Sequence, residues 1–262
     1  DSYYNKLMSK LETTEEERNK WRERISKEVK LAVKVQENFL PKRNLKNYPV
    51  HGINLSAREV SGDFFSFYPH NDNIYFIIAD VAGKGIHAGM VMAKASTLFE
   101  VLSQSKVDPD EMVFHMNNDL NNTKTAGMFV TSIIGEYNLI TDEIRWVNAG
   151  HQPAVIRKNN GEYDQIESSA PPLGVIKQKD KSVYNIHKMK LNGSRFYAFT
   201  DGLSESLNDK GEEIGIDGSI DIIEQNYSKE TTKQLDNITK SVINVSKSQK
   251  LTDDLTLICI GK

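Results

Sequence analysis

The chain has 262 residues, 38% of them apolar and 26% charged, with a net charge of −3. That length suits one large domain, or one domain with an appendage. The near-balance of charge offers no basic field to nucleic acid or to an anionic membrane, and no stretch approaches the roughly 18 apolar residues of a membrane span.

Residues 1–40 form a run without proline or glycine, rich in Glu, Lys, Arg and Leu. Leu7, Leu11, Thr14, Arg18, Trp21, Ile25, Glu28, Ala32, Val35 and Phe39 fall at alternating steps of four and three. This is heptad spacing, with a seam made imperfect by Arg18 and Glu28. Thr13 or Thr14, followed by Glu16 and Glu17, also reads as a helix start. A break is therefore expected near 12–14, with a long helix after it that Pro41 ends. The division predicted is a helical, coiled-coil-like linker over 1–40 and a folded domain over 41–262. The linker reads either as a solvated helix docked on its own domain or as a parallel dimer helix relaying a signal. The N-terminus, Asp1-Ser2-Tyr3-Tyr4, has no initiator methionine and no signal-peptide pattern, so the sequence reads as a fragment of a longer protein.

From residue 50 the apolar period becomes two, the period of strands. Strands are predicted at Gly52–Ala57, Asn73–Ala79, Met128–Leu139, Glu143–Val147, Ala154–Arg157, Val183–Leu191, Arg195–Thr200 and Leu255–Ile260. The Phe64-Phe65-Phe67-Tyr68 cluster reads as strand core. Helical pattern covers Gly85–Ser103, Pro109–Asn121, Ser219–Asn226 and Thr231–Ser246. Short turns between successive strands imply antiparallel pairing, and helices arriving in groups imply an α+β class with helices layered on sheets. Cys259 lies inside the last strand and reads as a small buried hydrophobe. As the single cysteine it permits no intramolecular disulfide, which fits a reducing, cytoplasmic compartment.

Aspartates recur at strand ends beside glycine: Ser61-Gly62-Asp63-Phe64, Ile78-Ala79-Asp80-Val81-Ala82-Gly83-Lys84-Gly85, Phe199-Thr200-Asp201-Gly202 and Thr252-Asp253-Asp254-Leu255. At such a border a carboxylate is fixed by the sheet yet can face a cleft. Carboxylates gathered in one place repel each other, which raises their pKa values unless cations neutralise them. Oxygen-only ligands suit hard ions, Mg²⁺ or Mn²⁺. Zinc would require histidine or cysteine clusters, a spacing the six histidines do not form. A calcium loop would gather its acids within about twelve residues. From the residues alone, a metal site and a set of turn-capping aspartates both stay open.

Seven segments in order, from Val60-Ser61-Gly62-Asp63-Phe64-Phe65 and Ile78–Gly85 through Met128-Phe129-Val130-Thr131, Asn148-Ala149-Gly150-His151-Gln152-Pro153, Pro172-Leu173-Gly174, Thr200-Asp201-Gly202 and Thr252-Asp253-Asp254-Leu255-Thr256, resemble bacterial PPM (PP2C-like) serine/threonine phosphatases. More narrowly they resemble the SpoIIE/RsbU-type branch of stress-response and sporulation phosphatases. The resemblance spans about residues 30–260, and Ala32–Pro41 is similar to the helix preceding the domain in that family. It implies an α-β-β-α sandwich of two antiparallel sheets flanked by helices, with two Mn²⁺ or Mg²⁺ ions at one edge. Asp80 would bridge both ions and the Val81 main-chain carbonyl would add a ligand. Asp201 and Asp253 would hold one ion, and Asp63 the other, directly or through water. Asp254 aligns less well than Asp253 with the family's ligand. Asp80 and Asp201 would be the catalytic carboxylates.

The implied reaction is hydrolysis of phosphoserine or phosphothreonine by a metal-bridged water attacking phosphorus in line, with no Cys or Ser nucleophile. The implied substrate is a small anti-anti-sigma (STAS) type protein in a bacterial partner-switching pathway, with an upstream sensor or receiver domain beyond this chain. A rival is a catalytically silent binding module of the same fold, disfavoured because all four acids are present. Two departures stand out. Ser61-Gly62 replaces the family's usual glycine pair. The histidine that follows the bridging aspartate in eukaryotic relatives is also missing, so the proton donor is metal-bound water or, second, Lys84. His151 reads as an organiser of the Asn148-Ala149-Gly150 turn, and His87 as a surface residue at a helix start.

Overall fold

The computed structural model describes residues 2–36, 38–39, 45, 48–57, 60–123, 127–208, 210–245, 251 and 253–261. The first element, α1 (Ser2–Gln36), runs through positions 12–14 without the expected break. Thr14 does not cap a new helix; its hydroxyl donates to the Lys10 carbonyl one turn back, at 2.8 Å. Pro41 and the boundary between 40 and 41 lie outside the described residues, as do the side chains of Leu7 and Leu11. Toward its end α1 covers Val29, Val33 and Gln36, while Trp21, Ile25, Leu31 and Val35 stay more than half exposed.

Two five-stranded sheets follow, and every strand pair among the described residues is antiparallel. The first sheet holds β1 (Val50–Leu55), β6 (Ala154–Arg157), β7 (Tyr163–Ile166), β9 (Arg195–Phe199) and β10 (Leu255–Ile260), in the order β1-β10-β9-β6-β7. The second holds β2 (Phe64–His70), β3 (Asn73–Val81), β4 (Val130–Asn138), β5 (Glu143–Ala149) and β8 (His187–Lys190), in chain order. The helices are α2 (Ile86–Gln104), α3 (Pro109–Asn122), a single turn α4 (Asp201–Ser204), α5 (Gly215–Gln225) and α6 (Thr231–Val245).

Period two divides each strand between two cores. Ile74, Phe76 and Ile78 of β3, with Phe65 and Phe67 of β2, meet Ile156, Phe196, Ala198, Ile258 and Ile260 between the sheets. Their neighbours Phe64, Tyr75, Ile77 and Ala79 face outward against Ala88, Met92, Phe99 and Met116 of α2 and α3. On the far side, Tyr197, Phe199, Leu257 and the buried Cys259 pack on Ile223, Leu235, Ile238 and Val242 of α5 and α6. The result is the four-layer α-β-β-α sandwich. Local differences from the sequence reading occur, and β1 lies two residues earlier than Gly52–Ala57. The strand expected over Val183–Leu191 begins only at His187, because a 3-10 turn at Lys181–Val183 is capped by Asp180 accepting from the Ser182 amide. Helix α5 starts four residues before Ser219. Strand β7 and the turn α4 have no counterpart among the predicted elements.

Candidate active site

The same alternation aims the acids. Asp80 shares the parity of Phe76 and Ile78, and Asp63 that of Phe65 and Phe67, so both face the space between the sheets rather than α2. From the first sheet, Asp201 follows the end of β9 and Asp253-Asp254 precede β10, whose register pairs Leu257 with Phe199. One cleft of about 310 Å³ at this edge is lined by Gly62, Asp63, Asp80, Val81, the Ala82–Gly85 loop, Phe129, Thr131, Asp201, Asp253 and Asp254. The structure thus brings together Asp63, Asp80, Val81, Asp201 and Asp253, two carboxylates from each sheet with the Val81 backbone beside them.

Asp63 is 2% exposed, and its Oδ2 is buried with no hydrogen-bond partner. Burial, then the charge of Asp80, pushes its pKa well above the ordinary carboxylate range, while Thr200 acts in the opposite direction. Burial, then Asp201, raises Asp80 to about 6. Burial and Asp253 raise Asp201. Asp254 is committed elsewhere: one oxygen accepts from the Ala57 amide at 2.7 Å and the other from the Gly62 amide at 3.2 Å. It ties the Asp63 turn to β10. Ser61, which departs from the glycine pair, caps the same turn by accepting from the Asp63 amide at 3.0 Å. Gly62 sits closely there, since a Cβ would lie 3.1 Å from the Val81 carbonyl oxygen and need a small shift. Gly202 is more constrained still, as a Cβ would come within 2.0 Å of the Asp254 carbonyl oxygen.

Lys84 reaches back into the cleft and places Nζ 2.6 Å from Asp253 Oδ2. Among the described residues, no three His, Cys, Asp or Glu side chains form a group that could hold a metal ion as arranged here. The donor chemistry nonetheless suits hard divalent ions. The side chains that line the cleft present oxygen donors with no His or Cys among them. The carboxylates raise one another's pKa values, and Asp63 Oδ2 lacks a donor. Asp63, Asp80, the Val81 carbonyl, Asp201 and Asp253 are the groups that would hold them.

Thr131 lies within a matched segment but has no role in the sequence reading, and Glu205 is not singled out there. Thr131 pairs with Asp80 across β3 and β4, and its hydroxyl lies 2.9 Å from His151 Nδ1. His151 is buried, its amide donates to Asn148 Oδ1 at 2.9 Å, and burial pushes its pKa down to about 4. It is a neutral prop behind Thr131, in the structural role expected, and His87 is exposed as expected. Glu205 stands one turn after Asp201; burial, Asp201, Glu213 and Asp253 raise its pKa, while Lys84 lowers it. The (i, i+4) spacing from Asp201 was the available clue.

Residues 70–262 match the family described as Stage II sporulation protein E (SpoIIE). The chain belongs to the SpoIIE family. This SpoIIE-type PP2C phosphatase domain is 27% identical over 244 residues to the phosphoserine phosphatase RsbU of Bacillus subtilis, covering 91% of this chain and 71% of RsbU. It is 25% identical to the phosphoserine phosphatase RsbP of the same organism, over 68% of this chain but only 45% of RsbP. Among solved structures, the SiaA-PP2C domain of Pseudomonas aeruginosa superposes with a TM-score of 0.81 at 15% identity, covering 92% of this chain and 98% of that one. The PP2C domain of SpoIIE from Bacillus subtilis, with a fragment of its regulatory domain, gives 0.69 at 20% identity, over 82% and 63% of the two chains. These likenesses at low identity carry the fold.

Proposed function

We propose that this SpoIIE-family domain is a metal-dependent protein serine/threonine phosphatase that hydrolyses phosphoserine or phosphothreonine. The observation that carries the reading is the convergence of Asp63, Asp80, Asp201 and Asp253 from both sheets onto one open cleft. When bound there, two Mn²⁺ or Mg²⁺ ions supply a nucleophilic water at neutral pH and offset the phosphoryl charge. The chain's own residues set the stage for this. Asp254 and Ser61 fix the turn that carries Asp63. Thr131, backed by His151, holds the strand end that carries Asp80. The Gly83-Lys84-Gly85 loop forms the rim past which a phosphorylated residue would enter.

The substrate we infer is a small anti-anti-sigma (STAS) type phosphoprotein in a partner-switching pathway, by kinship with RsbU and RsbP. No helix among the described residues is long and apolar enough to cross a membrane, and the reading places the protein in the cytoplasm, under an upstream sensor or receiver domain. The uncovered stripe of Trp21, Ile25 and Val35 on α1 suits pairing with a second copy. The decisive experiment is hydrolysis of a generic phosphate monoester and a phosphoserine peptide with Mn²⁺, Mg²⁺ or EDTA, for wild type and Asp201→Asn. Metal-dependent turnover that falls at least about 100-fold in the variant is expected. No turnover and no metal-induced rise in melting temperature would leave the silent binding module instead.

A further inference from the structure

The side chain of Lys84 is half exposed, yet it folds inward to Asp253 instead of extending into water. Its charge also lowers the pKa values of Asp201, which lines the cleft, and of the exposed Glu205 outside it, so the ammonium lies near three acids. It hangs between Gly83 and Gly85, with φ of 132° and 76°, values that L side chains rarely adopt. A Cβ at Gly85 would meet nothing within 4 Å, so tight packing does not explain that glycine. The loop therefore presents a long cationic side chain on two conformationally permissive joints, beside the carboxylates assigned to one ion.

We propose that Lys84 is a tethered counter-ion for the Asp201–Asp253 half of the site, which a divalent ion must displace in order to bind there. This rests on the two-ion reading above and adds an order to it. The half made by Asp63 and Asp80 has no ion pair to a side-chain cation among the described residues, so an ion there displaces no lysine. The Asp201–Asp253 half fills last and more weakly, because Asp253 must exchange one cation for another. Lys84 acts here on loading of the site, as a residue that sets the affinity of the second ion.

The test is Mn²⁺ binding, followed by calorimetry and by the electron paramagnetic resonance signal of free Mn²⁺, for wild type, Lys84→Met and Lys84→Arg. In Lys84→Met the weaker binding step should tighten by about fivefold, the factor that a partly exposed ion pair of this kind carries at most. The tighter step should change less, and Lys84→Arg should stay near wild type. The gap between wild type and Lys84→Met should narrow in high salt, which screens the pair. A cooperative melt in EDTA for each variant, with Lys84→Met slightly below wild type because it has lost the ion pair, would show the variants folded. Two Mn²⁺ steps that are unchanged or weakened in Lys84→Met would overturn the tethered counter-ion and leave the phosphatase reading standing. No Mn²⁺ binding by any of the three would overturn both.

Discussion

Asp63 pairs an almost complete loss of water with a carboxylate neighbour, so in metal-free protein it opposes folding. Asp63→Asn should therefore be more stable than wild type in EDTA, by about 1–3 kcal/mol, and lose most of the Mn²⁺-induced rise in melting temperature. A variant that melts lower in EDTA would contradict this account of the burial. The acids and His151 pull in opposite directions with pH. Asp80 is raised to about 6, so its contribution to stability is present below the unfolded value near 4 and lost as pH climbs through 6. His151 is lowered from 6.5 to about 4, so its contribution is present above 6.5 and lost as pH falls through 4. Comparison with His151→Gln isolates that second effect. The stability advantage of wild type over the variant, from urea melts in EDTA, should shrink by about 3 kcal/mol between pH 7 and pH 4.

Among the elements, the link between α1 and the cleft is short. Gln36, the last residue of α1, donates through Nε2 to the Ser61 carbonyl at 2.5 Å and accepts from the Ser61 amide at 3.2 Å. Ser61 in turn caps the turn bearing Asp63. Gln36→Ala strands two buried backbone groups, so it should cost about 1–3 kcal/mol in urea melts and weaken Mn²⁺ binding as well. Stability loss with unchanged Mn²⁺ affinity would reduce the bond to packing. This contact was invisible in the sequence, because a glutamine on a heptad-like helix carries no mark of its distant partner. The strongly apolar strands were legible, Ala154–Arg157 and Leu255–Ile260 with both ends as found. Strand β7, Tyr-Asp-Gln-Ile, was not, since an edge strand only partly buried needs no apolar alternation. Thr14 misled because a threonine that bonds back along the helix looks in sequence like one that starts it. Of the site, the acids were legible as strand-end aspartates. Thr131, Lys84's hold on Asp253 and the clamp by Asp254 depend on which loops meet, which only the packed sheets decide.

In the whole molecule, the linker and the catalytic layers are less separate than a division at residue 40 implies. Phe39 packs against the core of α2 and α3, and its carbonyl accepts from Ser96. The end of α1 is thus part of the domain, whereas its more exposed stretch carries the heptad stripe.

Because the carboxylates proposed as ligands are divided between the two sheets, ions held there would act as rivets through the sandwich, at a margin where its apolar filling gives way to charge. Like any ligand taken up only by the folded state, they would add stability by mass action. Here the gain would be local, holding the margin shut while the opposite end of the sheets relies on Trp146 and Phe196. Hydrogen exchange compared in Mn²⁺ and in EDTA should accordingly quicken on metal removal at Gly62–Phe64, Val81–Gly85 and Asp253–Leu255, and hardly at all in the middle of β4 and β5. Uniform acceleration would mean that the layers part as a block; a change confined to that margin would mean that the proposed ions also serve as the sandwich's fastening.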